Sequence, residues 1–546
     1  MKLSLIDRAV AAIDPVRAAA RMKARAQLQV AQQTFSAFAG DGMDLEPVAG
    51  GGSSLLRWWR PGSRDAAGDA LYALTMQRGQ VRELVRTNPI AGGAIGTNVD
   101  RVVGTGVALV AQPERSVLGW TAEQALAWKS TVQMEFSLWA DSTACDWEGE
   151  QNFYDKQALT LRSALESGDC FTILPDGTPT PSQPYSLRLQ TIEADRVGNP
   201  NNASNTATIA GGIDRSAAGG VKRYFVYDTH PGAIFTTEGK GRYTGTWMAG
   251  IGPSGRRRIL HHFRQLRPEQ PRGIPYLAPV IAALKQLGRY TEAEIQAAVV
   301  SALFTVFVET ENASAAPVFG MQESEVPADD ELEMSPGTVL SLAKGEKVSF
   351  ADPSRPNTSF DPFVQAIIQQ IGVGLGVPYE LLIKRFNASY SASKAALLDA
   401  WMWFRSQRSW LARSFCQPTY ETWLAEAVMI GRVSAPGFFA DPLMRWAYSR
   451  ASWHGDSMGS INPKDEVAAY AAAVDARLMT RERAEWEMFG SDWYETFAAK
   501  KTENDMLAAA DLLPVPKAGA AVAAPAADDA APAPAPEPAP AGLAEV

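Results

Sequence analysis

From Pro275 to Glu309 the chain reads PYLAPVIAALKQLGRYTEAEIQAAVVSALFTVFVE, with no proline after Pro279. As a single helix this stretch would run roughly 45 to 50 Å at about 1.5 Å of rise per residue. That exceeds what most globular helices need. A second helical pattern covers Phe363 to Leu382. The intervening stretch holds Pro317, Pro327, Pro336, Pro353 and Pro356 with two short strand-like pieces, TVLSL and KVSF. The sequence therefore predicts two long helices bracketing a small β-rich insertion.

The half that precedes these helices mixes α and β. The first thirty or so residues read as an exposed helix, and Gly, Pro and Ser between Gly40 and Gly68 break any periodicity around Trp58-Trp59. The core should start near Ala70. Leu71 to Arg86 is helical and places Arg78, Arg82 and Arg86 at i, i+4 spacing on one face, until Asn88-Pro89 ends it. The next run, IAGGAIGTNVDRVVGTGVALV, predicts a short helix entering a strand. Gln151 to Ser167 forms another helix, and CFTILP, YSLRLQTIEADRV, Val221 to Thr229 and Arg258 to Phe263 form strands.

After the second long helix the run IKRFNASYSAS interrupts, and Lys394 to Met429 predicts a helix bearing Trp401, Trp403, Trp410 and Trp423. Helices over Lys464 to Arg477 and Thr480 to Phe489 have start signals in Asn462-Pro463 and Thr480. Beyond Leu513 the Pro/Ala-rich chain has too few large apolar residues to fold and is expected to be disordered. The fold class is α+β.

A formal net charge of -9 argues against a general nucleic-acid coat. It is compatible with DNA that slides past without sticking, because every neutralised phosphate adds affinity. Cys145, Cys170 and Cys416 form no CxxC pair and read as reduced structural thiols. Ala297 to Val308, the most apolar stretch, has only about twelve residues, short of the roughly twenty a bilayer requires. No membrane partner is expected.

Motifs for chemistry are missing. There is no GxxxxGK followed by Ser or Thr and no GxSxG, so neither an ATPase nor a nucleophile-elbow hydrolase is expected. Gly372-x-Gly374-x-Gly376 precedes Val377-Pro378 and reads as helix termination and close packing. His261 and His262, adjacent on a strand, point to opposite faces and do not form a metal pair. Cys170 reads as a buried strand residue, and Asp329, Asp330, Glu331 and Glu333 as a solvated acidic edge. No catalytic set, cofactor or metal is expected.

Several blocks, in order, resemble the lambda-type portal proteins of tailed phages and gene-transfer particles. They are RELVRTNPIAGGAIGTNVDRVVGTGV, LRLQTIEADRV, RPEQPRGIPYLAPVIAALKQLGRYTEAEIQAA, PGTVLSLAKGEKVSF, GLGVPYELLIKRFNASYSASKAALLDAW and INPKDEVAAYAAAVDARLMT. One departure is Asn462-Pro463, where the family usually has aspartate-proline.

The resemblance implies a ring subunit, usually one of twelve, at the capsid's portal vertex, with a mixed α/β wing, a long helical stem, a small β-rich clip and a helical crown. On that plan residues 1–69 are an N-terminal helix and loose segment, 70–274 the wing, 275–310 the first stem helix and 311–362 the clip. Residues 363–383 are the second stem helix, 384–392 a channel loop, 393–430 a long wing helix, 431–510 the crown and 511–546 the tail. Lys384, Arg385, Phe386, Asn387, Ser389 and Tyr390 would face DNA in the channel, with Phe386 and Tyr390 more readily anchoring the loop than touching the duplex. Arg78, Arg82 and Arg86 would make inter-subunit or phosphate contacts. The implied partners are further copies of the chain, double-stranded DNA, the terminase large subunit, capsid and scaffold proteins and a head-tail adaptor, met in the host cytoplasm during assembly. The alternatives are a minor capsid or head-tail adaptor protein, or a head maturation enzyme.

Overall fold

The computed structural model describes residues 63–234, 241–303, 307–310, 346–349, 360–386, 389–459 and 463–510. The chain divides after Arg64, and every element below belongs to the unit that starts at Asp65. Most of residues 1–69 and of the expected clip, the TVLSL piece, Asn387, Asn462 and the terminal tail lie outside the described residues.

A one-residue joint at Asn88 folds α1 (Leu74–Thr87) against α2 (Pro89–Val102). The Asn88 carboxamide oxygen accepts from the N–H groups of Ile90 and Ala91, and Pro89 occupies a position whose N–H would have no helical partner. A Cβ at Gly92 would stand 2.9 Å from the Val85 carbonyl oxygen, so the two helices meet backbone to backbone. After β1 (Ala108–Ala111) comes α3 (Ala122–Ala140), which the sequence reading passed over. Its start is a reciprocal cap between Thr121 and Gln124. α4 (Phe153–Ser167) opens with the same device, Asn152 with Asp155.

The strands are short and pair antiparallel. β2 (Asp169–Ile173) is the centre of a three-stranded sheet between β3 (Gln190–Ile192) and β8 (Ile259–Phe263). A four-stranded sheet runs in order through β4 (Ile209–Ala210), β5 (Ile213–Arg215), β6 (Val221–Tyr227) and β7 (Gly245–Ala249).

The long helix is shorter than its sequence suggested. α5 spans Ile281–Leu303, and Phe307–Thr310 is a strand, β9, paired with β10 (Glu346–Ser349). The run Thr305 to Val308 is β-branched and aromatic, a composition that favours a pleated surface over a helix. The second long helix is also divided. α6 (Phe360–Leu375) ends at Gly376, whose φ is +65°, and α7 (Tyr379–Ile383) follows. A Cβ on Gly372 would lie 2.7 Å from the Val377 carbonyl oxygen, so this turn can fold only on a bare backbone.

α8 (Tyr390–Leu411) continues through a wide π turn, Ala412–Cys416, into α9 (Gln417–Met429). Pro418 has no N–H to give the preceding turn, and the widened turn absorbs the mismatch. Then come α10 (Pro442–Ser449), β11 (Ala451–His454) paired with β1, α11 (Pro463–Asp475), α12 (Arg481–Phe489) and α13 (Trp493–Ala509).

The main core joins these helices around an aromatic cluster in which Phe136 meets Trp139, Phe153, Tyr420 and Trp423 with ring centres 5.1 to 5.9 Å apart. A smaller core holds Phe171, Ile213, Tyr224, Val226 and Ile259 between the two sheets. All three cysteines are buried and unpaired. Among the described residues no helix is long and apolar enough to cross a membrane.

Candidate functional site

α7 carries the segment from Lys384 to Tyr390 at its end. Leu381 and Leu382 are buried and hold α7 against the body, while Lys384 takes a left-handed conformation with φ 53° and ends the helix. The Lys384 and Arg385 N–H groups both turn back to the Glu380 carbonyl. Lys384, Arg385, Phe386 and Ser389 are exposed. Phe386 leaves 49% of its surface in solvent. The Ser389 hydroxyl accepts from the Ala392 N–H at 3.4 Å and starts α8 at Tyr390.

The three arginines do not share a surface. Each step of four residues turns a helix about 40° past a full revolution, so the stripe runs from the interior outward. Arg78 is buried: it donates to Asp169 at 2.6 Å, to Asp195 at 2.9 Å and to the Ser167 carbonyl at 2.8 Å. Arg82 is half-buried and pairs with Asp195 at 2.5 Å, and only Arg86 is exposed. Arg78 is therefore an internal tie rather than an inter-subunit or phosphate contact, and this corrects its expected role.

At the centre of that tie is Asp169, which the sequence reading did not single out. Arg272 also pairs with it and donates to the carbonyls of Ala194, Val197 and Gly211, each at 2.7 Å. Burial alone would raise the Asp169 carboxyl, but the Arg272 and Arg78 guanidiniums outweigh it and hold the group well below the usual carboxylate range. The available signals were Gly168 and Gly273, which touch so closely that neither tolerates a side chain.

The histidines are occupied by local bonds. His261 Nε2 lies 3.2 Å from Asp169, between the stacked rings of Phe171 and Phe263, and His262 Nε2 lies 2.9 Å from the Thr172 hydroxyl. His230, Glu193 and Asp195 come together like a metal set. The chemistry does not fit: His230 Nδ1 accepts from the Gly232 N–H, so Nε2 carries the proton and faces Glu193 at 3.0 Å, and the Arg82 guanidinium already fills the space beside Asp195.

The family model described as phage portal protein, lambda family, matches residues 52–408. The chain belongs to that family. Portal protein B of Escherichia phage lambda is 25% identical over 502 residues, covering 86% of this chain and 92% of the relative. The portal protein of Escherichia phage N15 is 26% identical over 503 residues with the same coverage. Among solved structures, a chain in the neck of a native gene transfer agent particle has a TM-score of 0.39 at 14% identity, covering 76% of this chain and 92% of that one. A chain in the neck of the empty particle has a TM-score of 0.40 at 15% identity, covering 74% and 91%. Portal proteins are structural.

Proposed function

We propose that copies of this chain close into a ring whose axial channel passes double-stranded DNA during packaging, retains it in the filled particle and releases it on ejection. The ring docks the terminase motor first and neck proteins later, and no catalysis is required of it. Membership of the lambda portal family carries this reading. α5 supports it by leaving Ile295 and Val299, one helical turn apart, mostly in solvent, an apolar strip that a neighbouring copy can bury.

Lys384 to Tyr390 faces the channel. Lys384 and Arg385 make transient phosphate contacts, Ser389 offers a weak hydrogen bond without base reading, and Asn387 adds a second. Electron microscopy of the purified protein tests the proposal: rings with an axial hole support it, and a monomer at all concentrations contradicts it.

A further inference from the structure

We propose that the outer edge of β7 receives an extended acidic polypeptide segment as a fifth strand of the four-stranded sheet. Among the described residues β7 pairs with β6 alone. The Gly250 N–H donates to the Lys222 carbonyl at 3.2 Å and the Asp228 N–H to the Thr244 carbonyl at 3.0 Å. In an antiparallel ladder such bonded pairs recur at every second residue. Thr246 and Met248 therefore direct their backbone groups at β6, and Gly245, Trp247 and Ala249 direct theirs outward. A row of outward N–H and C=O groups is a template for a further strand.

Positive charge stands at both ends of this edge. Arg242 precedes β7. Beyond its other end the Gly250 carbonyl accepts from the Arg258 N–H and Ile251 pairs with Arg257, which turns Arg256, Arg257 and Arg258 back beside Gly250 and Ile251 at the strand's end. Asp176 holds Arg256, and Asp214 holds Arg223 where it lies 4.3 Å over the Trp247 ring. Lys222, Arg242, Arg257 and Arg258 are exposed and have no acidic partner among the described residues. Between residues 215 and 272 there are eleven Lys and Arg against three Asp and Glu, in a chain of net charge -9.

These charges select the occupant. Two β7 edges repel each other, so pairing between copies is disfavoured, whereas a strand with carboxylates is attracted. A DNA duplex would satisfy the cations but leave the β7 amides unbonded and bring its phosphates against outward carbonyls. From Arg242 to Gly250 an extended chain covers roughly 27 Å at about 3.4 Å per residue. The segment therefore has acidic residues toward both ends and β-forming residues between them.

The probe is a fluorescein-labelled peptide of about nine residues, with Asp and Glu at each end of a Thr-Val-Thr-Val-Thr centre, titrated into the full-length protein and read by anisotropy. Binding should weaken by about tenfold or more in Arg257→Glu/Arg258→Glu through charge reversal. It should weaken comparably in Ala249→Pro, which removes one outward N–H and spares the ladder to β6. In the wild-type protein, bound peptide should slow amide exchange at Trp247 and Ala249, a readout that stands even if the proline variant misfolds. Absence of binding, or binding without that protection, overturns the proposal. Binding of a DNA duplex of about twenty base pairs that needs the arginines but leaves Trp247 and Ala249 unprotected also overturns it, and assigns the surface to nucleic acid.

Discussion

Asp169 and Arg78 meet at 2.6 Å with 0% and 4% of their side chains exposed, across 91 residues of sequence. This contact ties α1 to the central strand of the three-stranded sheet, and Arg272 ties the same carboxylate to the turns that lead into the four-stranded one. Removing one partner of such a pair leaves an uncompensated buried charge and costs roughly 3 to 5 kcal/mol. Asp169→Asn should lower stability by that order, measured by urea unfolding of the full chain. A loss under about 1 kcal/mol would show that the tie is dispensable.

Acid should weaken the fold before the carboxylates titrate. Burial lowers His262 to about 3 and His454 to about 4, from an ordinary value near 6.5. Between those limits the unfolded chain binds more protons than the folded one, so their contribution is present above about pH 6.5 and is lost as pH falls toward the folded values. Asp169, also depressed, adds a loss in the same direction at lower pH. The melting temperature should fall steadily from pH 6.5 to 4, and His262→Gln, which keeps a bond to Thr172 available, should flatten that slope. A melting temperature that rises over this range would refute the assignment.

The exposed Lys384 and Arg385 should matter for DNA and not for folding. Lys384→Ala/Arg385→Ala should leave ring formation and melting unchanged while modestly lowering packaged length or DNA retention, more so at low salt, because exposed charges are screened. Wholly normal packaging in intact rings lacking the loop would remove it from the mechanism.

Gly372 tests the turn that carries this loop. A methyl group there would sit 2.7 Å from the Val377 carbonyl oxygen, a backbone atom that cannot swing aside. Gly372→Ala should cost roughly 1 to 3 kcal/mol by overpacking and displace α7. An unchanged unfolding midpoint would mean that the turn yields easily.

Elements whose signal is local were legible in the sequence. Asn88-Pro89 marked the joint between two helices, Gly376 ended α6, and Thr480 started α12. Elements decided by distant partners were not. Phe307–Thr310 follows a helical pattern without a proline or glycine to mark the break, and pairing with Glu346–Ser349 settles its β-favouring residues as a strand. Arg78, Arg82 and Arg86 share helical spacing, yet Asp169 and Asp195 decide which of them is buried, and no spacing announces a partner ninety or more residues away. α3 was missed although Thr121 and Gln124 carry a capping-box signature, because exposed Leu126, Met134 and Leu138 blur the contrast with the one face that buries Trp128, Phe136 and Trp139. The segment after α7 was located by resemblance, and the exposure of Lys384, Arg385, Phe386 and Ser389 was not readable from those residues alone.

Ring formation around a channel is the property on which the proposed function stands. Electron microscopy with native mass measurement on the purified full-length protein, without nucleotide or metal, tests it most directly. The account predicts a closed ring of a single mass class with an axial hole wide enough for a DNA duplex, about 20 Å. A species that stays monomeric at every protein concentration, or a closed assembly with no axial hole, would contradict it.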